Sequence, residues 1–129
     1  MKFSGNQNEA AALLAGAMEE NGLVPTLHAV FGKHIALRLG FSRAALNSDI
    51  NVLELSVRSA NGLRRQNIND LEGVIDRIHG SGLRSIRNLG AKSCAEIETK
   101  LVQYGYDHLT APERLWFCRD LLDENARYR

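Results

Sequence analysis

The stretch RNLGAKSCAEI at residues 87–97 places a turn directly before the start of a helix. Asn88 and Gly90 are residue types that tolerate a positive φ, so Asn-Leu-Gly is typical of a tight hairpin between two short helices. Leu89, which lies between them, can point into a core. An apolar-periodic run follows and predicts a helix over residues 91–104. The pattern therefore predicts a helix-hairpin-helix arrangement around this turn.

Hydrophobic spacing in the remaining sequence also predicts helices. β-branched clusters with strict alternation are missing, and the chain has only two prolines. We expect an all-α protein, a compact helix-hairpin-helix (SAM-domain-like) bundle with an added N-terminal helical arm and a C-terminal helix. The predicted helices lie at about residues 8–20, 23–40, 56–66, 70–78, 91–104 and 111–124. Gly105 is expected to end the fifth helix. Predicted core side chains include Val57, Leu63, Leu71, Val74, Leu83, Ile86, Ile97 and Leu101.

Residues with capping side chains stand at three predicted helix starts. Ser56 and Asp70 each precede an apolar-periodic segment, and their side-chain oxygens can accept hydrogen bonds from first-turn amides. Thr110 and Glu113 have the spacing of a capping box, with Pro112 in the first turn. These signals predict where three of the helices begin.

A short polar stretch at residues 41–51 is predicted to be a linker. Residues 1–48 are expected to form an N-terminal segment of two helices, and residues 49–129 a second domain with a C-terminal helical extension. The helix predicted at residues 23–40 is apolar over much of its circumference. Such a helix is usually buried, either against its own chain or in a dimer. The N-terminal segment is therefore a candidate interaction or homodimerisation arm.

The composition is that of an ordinary globular protein, with 44% hydrophobic and 24% charged residues. The longest apolar run, AAALLAGAM at residues 10–18, is too short to cross a membrane. Cys94 and Cys118 lack metal-ligand spacing, so we expect free thiols in a reducing cytoplasm. The four histidines form no metal-ligand pattern, and no Walker-type glycine loop is present. We expect no enzymatic activity, no metal and no cofactor.

The middle of the sequence is basic. Residues 56–92 carry seven Lys or Arg and three Asp or Glu side chains, whereas residues 1–55 and 93–129 each carry more acidic than basic ones. A local basic excess is what a small nucleic-acid surface needs. A solvated face without a ligand is the alternative interpretation.

Lys92 and Ser93 stand in the first turn of the helix that follows Asn-Leu-Gly. A lysine there opposes the helix dipole, so helix stability does not explain it. A phosphate group does, because backbone N–H groups, the Ser93 hydroxyl and the Lys92 ammonium can converge on one anion. An ordinary turn is the alternative interpretation.

Two segments together resemble the C-terminal domain of the bacterial RNA polymerase α subunit, namely LELSVRSANGLRRQNI at residues 53–68 and NLGAKSCAEIETKL at residues 88–101. The resemblance covers about residues 49–105. It implies a compact helical domain that binds the DNA minor groove of A-tract elements upstream of promoters and contacts activators and the σ subunit. No stretch resembles the subunit's N-terminal assembly domain. We therefore expect a free-standing module with unfamiliar terminal helices and no role in polymerase assembly.

The resemblance also implies roles for individual residues. Arg58 matches an arginine that the family inserts into the minor groove, and Asn61 matches its partner one helical turn on. Glu96 matches an acidic residue at the edge of the DNA surface, and Glu54 matches an acidic position used toward σ. The family's backbone-contacting turn and helix mouth are matched by Asn88, Gly90, Lys92 and Ser93.

Elementary chemistry supports the same DNA surface. Arg58 and Asn61 are three residues apart, so they share a helix face. A narrow A-tract minor groove has an enhanced negative potential that favours an inserted arginine, and asparagine can bond to acceptors on the groove floor. Arg64 could add a phosphate contact. For Arg58, a surface salt bridge is the alternative.

These observations lead to one main functional hypothesis, a cytoplasmic DNA-binding module in transcription. Its expected partner is double-stranded, A/T-rich DNA, with RNA polymerase, the σ subunit or an activator as candidate protein partners. Two alternatives stay open. One is a helix-hairpin-helix protein of repair or recombination that binds the DNA backbone without A-tract preference. The other is a protein-interaction module with a vestigial DNA surface.

Overall fold

The computed structural model describes residues 5–32 and 40–126, and in these two ranges the regular elements are all helical. The all-α prediction is confirmed. No helix among these residues is long and apolar enough to cross a membrane. The α-helices are α1 Gly5–Asn21, α2 Leu23–Phe31, α3 Arg43–Leu46, α4 Val57–Arg65, α5 Leu71–His79, α6 Ala91–Asp107 and α7 Ala111–Ala126. Two 3-10 turns lie at Ile50–Leu53 and Leu83–Ser85.

Contacts divide the protein into two compact units. We call Gly40–Gly105 the central unit, and Met1–Leu39 together with Tyr106–Arg129 the terminal unit. The predicted domain boundary at residue 48 stays a prediction. The boundaries of the two contact-based units fall at other residues. Residues 40–48 belong to the central unit, and α7 belongs to the unit that contains α1 and α2.

Three predictions about local structure are wrong. The expected linker forms α3 and a 3-10 turn, because Ser42 caps α3 by accepting a hydrogen bond from the Ala45 amide at 3.1 Å. The helix expected to end at Gly105 is α6, and it continues to Asp107. Val57 is 77% exposed, because α4 buries Ser59, Gly62 and Leu63 and so turns Val57 outward. The later half of the predicted helix at 23–40 falls on residues 33–39, outside the described residues.

The central unit is built around one hydrophobic cluster. Two of the predicted N-caps are found at the starts of its helices α4 and α5. Ser56 Oγ accepts from the Ser59 amide at 3.3 Å, and Asp70 Oδ1 accepts from the Gly73 amide at 2.8 Å. The buried cluster consists of Ile50, Leu53, Leu63, Ile68, Leu71, Val74, Leu83, Ile86, Leu89, Cys94, Ile97 and Leu101. Apart from Val57, the core side chains named above are therefore confirmed. The inward-facing positions of the same helices also include partly buried side chains that pack against the cluster, namely Ala60, Ile75 and Ile78.

The terminal unit packs α7 and α2 against α1. The predicted capping box begins α7, since the Thr110 amide donates to Glu113 Oε1 at 2.7 Å and the Glu113 amide donates to Thr110 Oγ1 at 3.3 Å. Buried side chains on α7 include Phe117, Cys118 and Leu121. The same helix leaves Trp116 66% exposed.

Candidate nucleic-acid interface

Helix α4 presents the two residues predicted to enter the minor groove. Arg58 and Asn61 are both exposed, and they lie on the same helix three residues apart. The core-facing side of α4 is formed by Ser59, Gly62 and Leu63, which are buried. Burial of that side leaves the arginine and the asparagine on the outward surface.

The contact between Gly62 and Leu89 joins α4 to the Asn-Leu-Gly turn. A Cβ atom added at Gly62 would stand 2.7 Å from Leu89 Cδ1, so the buried Leu89 side chain would have to shift to accommodate it. Leu89 is 4% exposed and belongs to the core cluster, as its place between Asn88 and Gly90 predicts. The missing side chain at position 62 therefore lets the turn pack directly against the helix that carries Arg58. Sequence analysis missed this role of Gly62, and the one available signal was a glycine inside a predicted helix.

The side chain of Glu96 forms a second connection between α6 and α4. Its carboxylate accepts hydrogen bonds from the Ser56 amide at 2.9 Å, the Ser56 hydroxyl at 2.8 Å and the Ser59 hydroxyl. The bond from the Ser59 hydroxyl, followed by those from Ser56, holds the pKa of Glu96 below its ordinary value of 4.5. Glu96 thus makes internal bonds at the start of α4, a role that the sequence did not suggest.

The turn before α6 departs in part from the geometry expected for it. Asn88 has a φ of 68°, in the left-handed region that asparagine tolerates. Gly90 is not among the glycines with positive φ; its carbonyl accepts from the Cys94 amide at 3.0 Å at the start of α6. Lys92 is exposed, whereas Ser93 is 8% exposed. Lys92 and the first-turn amides are thus better placed for an anion than the Ser93 hydroxyl.

Arg64 lies in a hydrogen-bond network within the central unit. Its guanidinium donates to Asn69 Oδ1 at 3.0 Å, to Asp49 Oδ1 at 3.0 Å and to Asn51 Oδ1 at 2.9 Å. These bonds tie the end of α4 to the loops on either side of it. A phosphate contact would have to compete with them, and that role of Arg64 stays a prediction.

Glu54 lies apart from these contacts, at the end of the 3-10 turn Ile50–Leu53. It is exposed and adopts a φ of 53°, and its amide donates to the Asn51 carbonyl at 3.1 Å. This left-handed residue lies between the 3-10 turn and α4. Contact of Glu54 with another protein stays a prediction.

Both cysteines are buried thiols whose pKa is raised. Cys94 and Cys118 are free and buried. Burial raises the pKa of the Cys94 thiol, and it raises the pKa of Cys118 to about 11, so both favour the protonated form. No group of three or more His, Cys, Asp or Glu side chains within residues 5–32 and 40–126 is arranged to hold a metal ion.

The geometry defines a class of protein, namely a small helical domain whose surface combines a helix with exposed Arg58 and Asn61 and a helix start with exposed Lys92. Residues 41–103 match the family model for the C-terminal domain of the alpha subunit of bacterial RNA polymerase. The predicted resemblance to that domain is therefore confirmed for these residues. The match suggests a transcription-related DNA-binding module.

Individual relatives agree with the family match. The protein is 47% identical over 57 residues to the α subunit of DNA-directed RNA polymerase from Rubrobacter xylanophilus. The aligned segment covers 44% of this protein and 18% of that subunit. It is 48% identical over 56 residues to the subunit from Syntrophomonas wolfei, covering 43% of this protein and 17% of that subunit. With the subunit from Limosilactobacillus reuteri it is 30% identical over 123 residues, covering 78% of this protein and 39% of that subunit.

The match thus spans less than a fifth of the length of the first two relatives. Comparison with solved structures gave no significant match.

Proposed function

We propose that the central unit binds double-stranded DNA in transcription, with Arg58 and Asn61 in an A/T-rich minor groove and the start of α6 on the phosphate backbone. The observation that carries the proposal is the pair of exposed side chains on one face of α4. An arginine on such a face suits the negative potential of a narrow minor groove, and a nearby asparagine suits its acceptors.

The contact between Gly62 and Leu89 supports one DNA-binding surface that combines α4 with the turn before α6. It keeps α4 close to the turn that leads to Lys92. The lysine ammonium and the first-turn amides of α6 can hold a phosphate beside the groove that Arg58 enters. One such module makes few contacts, so it should bind weakly and with strong salt dependence.

The test is fluorescence anisotropy of the full-length protein with an A-tract duplex and a G·C duplex, each at two salt concentrations. Arg58→Ala should cost on the order of 1–3 kcal/mol on the A-tract duplex and less on the G·C duplex. Arg77→Ala, which removes the same charge from α5, is the matched control and should leave the A-tract preference intact. Equal binding to both duplexes by the wild type would favour the generic backbone-binding alternative. Absence of binding at low salt would refute the proposal.

We further propose that this module acts in the cytoplasm through binding and not through catalysis. RNA polymerase, its σ subunit or an activator are the proposed protein partners, with Glu54 on the σ-facing side. The family match supports a polymerase-related role. Pull-down of purified polymerase holoenzyme with wild type and Glu54→Lys tests it, since a charge reversal at a protein contact should abolish retention.

A protein-interaction role for the terminal unit is a second candidate. Exposed apolar side chains favour it, with Leu13 76% and Trp116 66% exposed. The homodimer is the simplest form of such an interaction, and a dimer would present two copies of Arg58. Light scattering at high protein concentration tests it, because a monomer mass would refute the homodimer.

A further inference from the structure

The carboxylate of Glu96 is bonded on both oxygens to the start of the helix that carries Arg58. Oε2 accepts from the Ser56 amide at 2.9 Å, and Oε1 accepts from the hydroxyls of Ser56 at 2.8 Å and Ser59. Ser56 is the N-cap residue of α4, and Ser59 is fully buried. The bonds therefore bracket Arg58, which lies between the two serines in sequence.

A negative charge at this position stabilises the start of α4. The first-turn amides and the helix dipole make a helix N-terminus electropositive. Hydrogen bonds to an ionised acceptor are about twice as strong as neutral ones. The Ser59 hydroxyl also needs an acceptor, because burial without one is costly. Loss of the carboxylate would thus remove the acceptor of the Ser56 amide and hydroxyl before Arg58 and of the Ser59 hydroxyl after it.

We propose that Glu96 is a positioning residue for minor-groove binding, which acts on Arg58 through Ser56 and Ser59 and makes no contact with DNA. The inference rests on the proposed function of the central unit. A carboxylate repels phosphates, so a position close to DNA is unfavourable for it. Its bonds to α4 supply the physical reason for an acidic residue there.

The sign of the effect on affinity distinguishes positioning from a plain surface charge. Removal of any acidic charge near DNA should raise affinity through reduced repulsion. Removal of the Glu96 charge by Glu96→Gln should instead lower affinity, because the amide keeps only one acceptor oxygen, which is uncharged, and places an NH2 donor where the second carboxylate oxygen accepted a bond. Glu98 is the matched control, since it is an exposed glutamate two residues further along α6. Glu96→Gln and Glu98→Gln change the net charge equally and the side-chain size hardly at all.

The experiment measures binding of the full-length protein to the A-tract and G·C duplexes by anisotropy, at a temperature where circular dichroism shows each variant folded. Glu96→Gln should lose A-tract affinity by roughly three- to tenfold, the range expected when a charge-assisted bond is weakened. Glu98→Gln should bind as well as the wild type or more tightly. Ser59→Ala, which removes a donor to the carboxylate, should change affinity in the same direction as Glu96→Gln. In an Arg58→Ala background, Glu96→Gln should cause no further loss of A-tract preference.

Two outcomes would overturn the positioning role alone. One is a Glu96→Gln variant that gains affinity as Glu98→Gln does, which would make Glu96 a surface charge. The other is an equal loss with and without Arg58, which would show that Glu96 acts independently of it. A wild type that binds neither duplex would instead overturn the proposed function, and this inference with it.

Discussion

Replacement of Gly62 by alanine should destabilise the central unit, although alanine is the better helix former. Inside an exposed helix the change gains about 0.5–1 kcal/mol. At Gly62 the new Cβ would stand 2.7 Å from Leu89 Cδ1, and Leu89 is buried in the core cluster. Overpacking of a well-packed core costs about 1–3 kcal/mol. We expect a net loss of about 0–2.5 kcal/mol in the free energy of unfolding.

A matched control for this substitution lies in the terminal unit. Gly16 is inside α1, and a Cβ added there would meet no atom within 4 Å. Gly16→Ala should therefore stabilise by about 0.5–1 kcal/mol. Urea unfolding followed by far-ultraviolet circular dichroism compares the two variants, while fluorescence of Trp116, the single tryptophan, follows the terminal unit separately.

A double-mutant cycle with Leu89→Ala isolates the contact. Leu89→Ala alone should cost about 2–5 kcal/mol, because it leaves a cavity. In that background Gly62→Ala should become neutral or stabilising, because Leu89→Ala removes the Cδ1 atom that the new Cβ would contact. The reasoning would be refuted if Gly62→Ala stabilised the protein as Gly16→Ala does, or if its effect were the same with and without the Leu89 side chain.

Three further predictions concern ionisation and backbone strain. Because the folded-state pKa of Glu96 is lowered, its stabilising contribution is present above its ordinary pKa of 4.5 and is lost as the pH falls through the folded value. The stability gap between wild type and Glu96→Gln should thus be largest near neutral pH and close in acid, and a gap constant with pH would contradict this. Asn88→Val should cost about 1–2 kcal/mol and Asn88→Gly almost nothing, since only valine is strained at a φ of 68°; equal unfolding midpoints would argue against strain. Burial raises the pKa of Cys118 to about 11, so its alkylation should be at least roughly tenfold slower in the native protein than in urea, and equal rates would disprove it.

Much of the local structure could be predicted from the sequence because its causes are local. A serine or aspartate before an apolar-periodic run caps a helix through bonds to residues three positions away, and Ser56 and Asp70 do so. Leu89 points into the core because the turn around it is short. The linker prediction failed because the hydroxyl of Ser42 was enough to start the four-residue helix α3, which has no apolar period to detect.

The candidate site was predictable in its members and only partly in their geometry. The family-like strings placed Arg58 and Asn61 on one helix, and both are exposed there. Ser93 stands at the expected helix start, yet it is buried. Which side of the first turn of α6 faces the core depends on the elements packed against it, and the spacing within one helix cannot show that.

By itself, the sequence determined the helical class, the helix caps and core of the central unit, and the family to which residues 41–103 are similar, because these follow from residue types and short-range spacing. Only the tertiary structure decided what Glu96, Arg64 and Gly62 do. Glu96 meets residues 40 and 37 positions away, Arg64 reaches back 15 positions to Asp49, and Gly62 accommodates Leu89. Such partners are brought together by packing of separate helices, and hydrophobic periodicity carries no information about which polar side chains will meet across them.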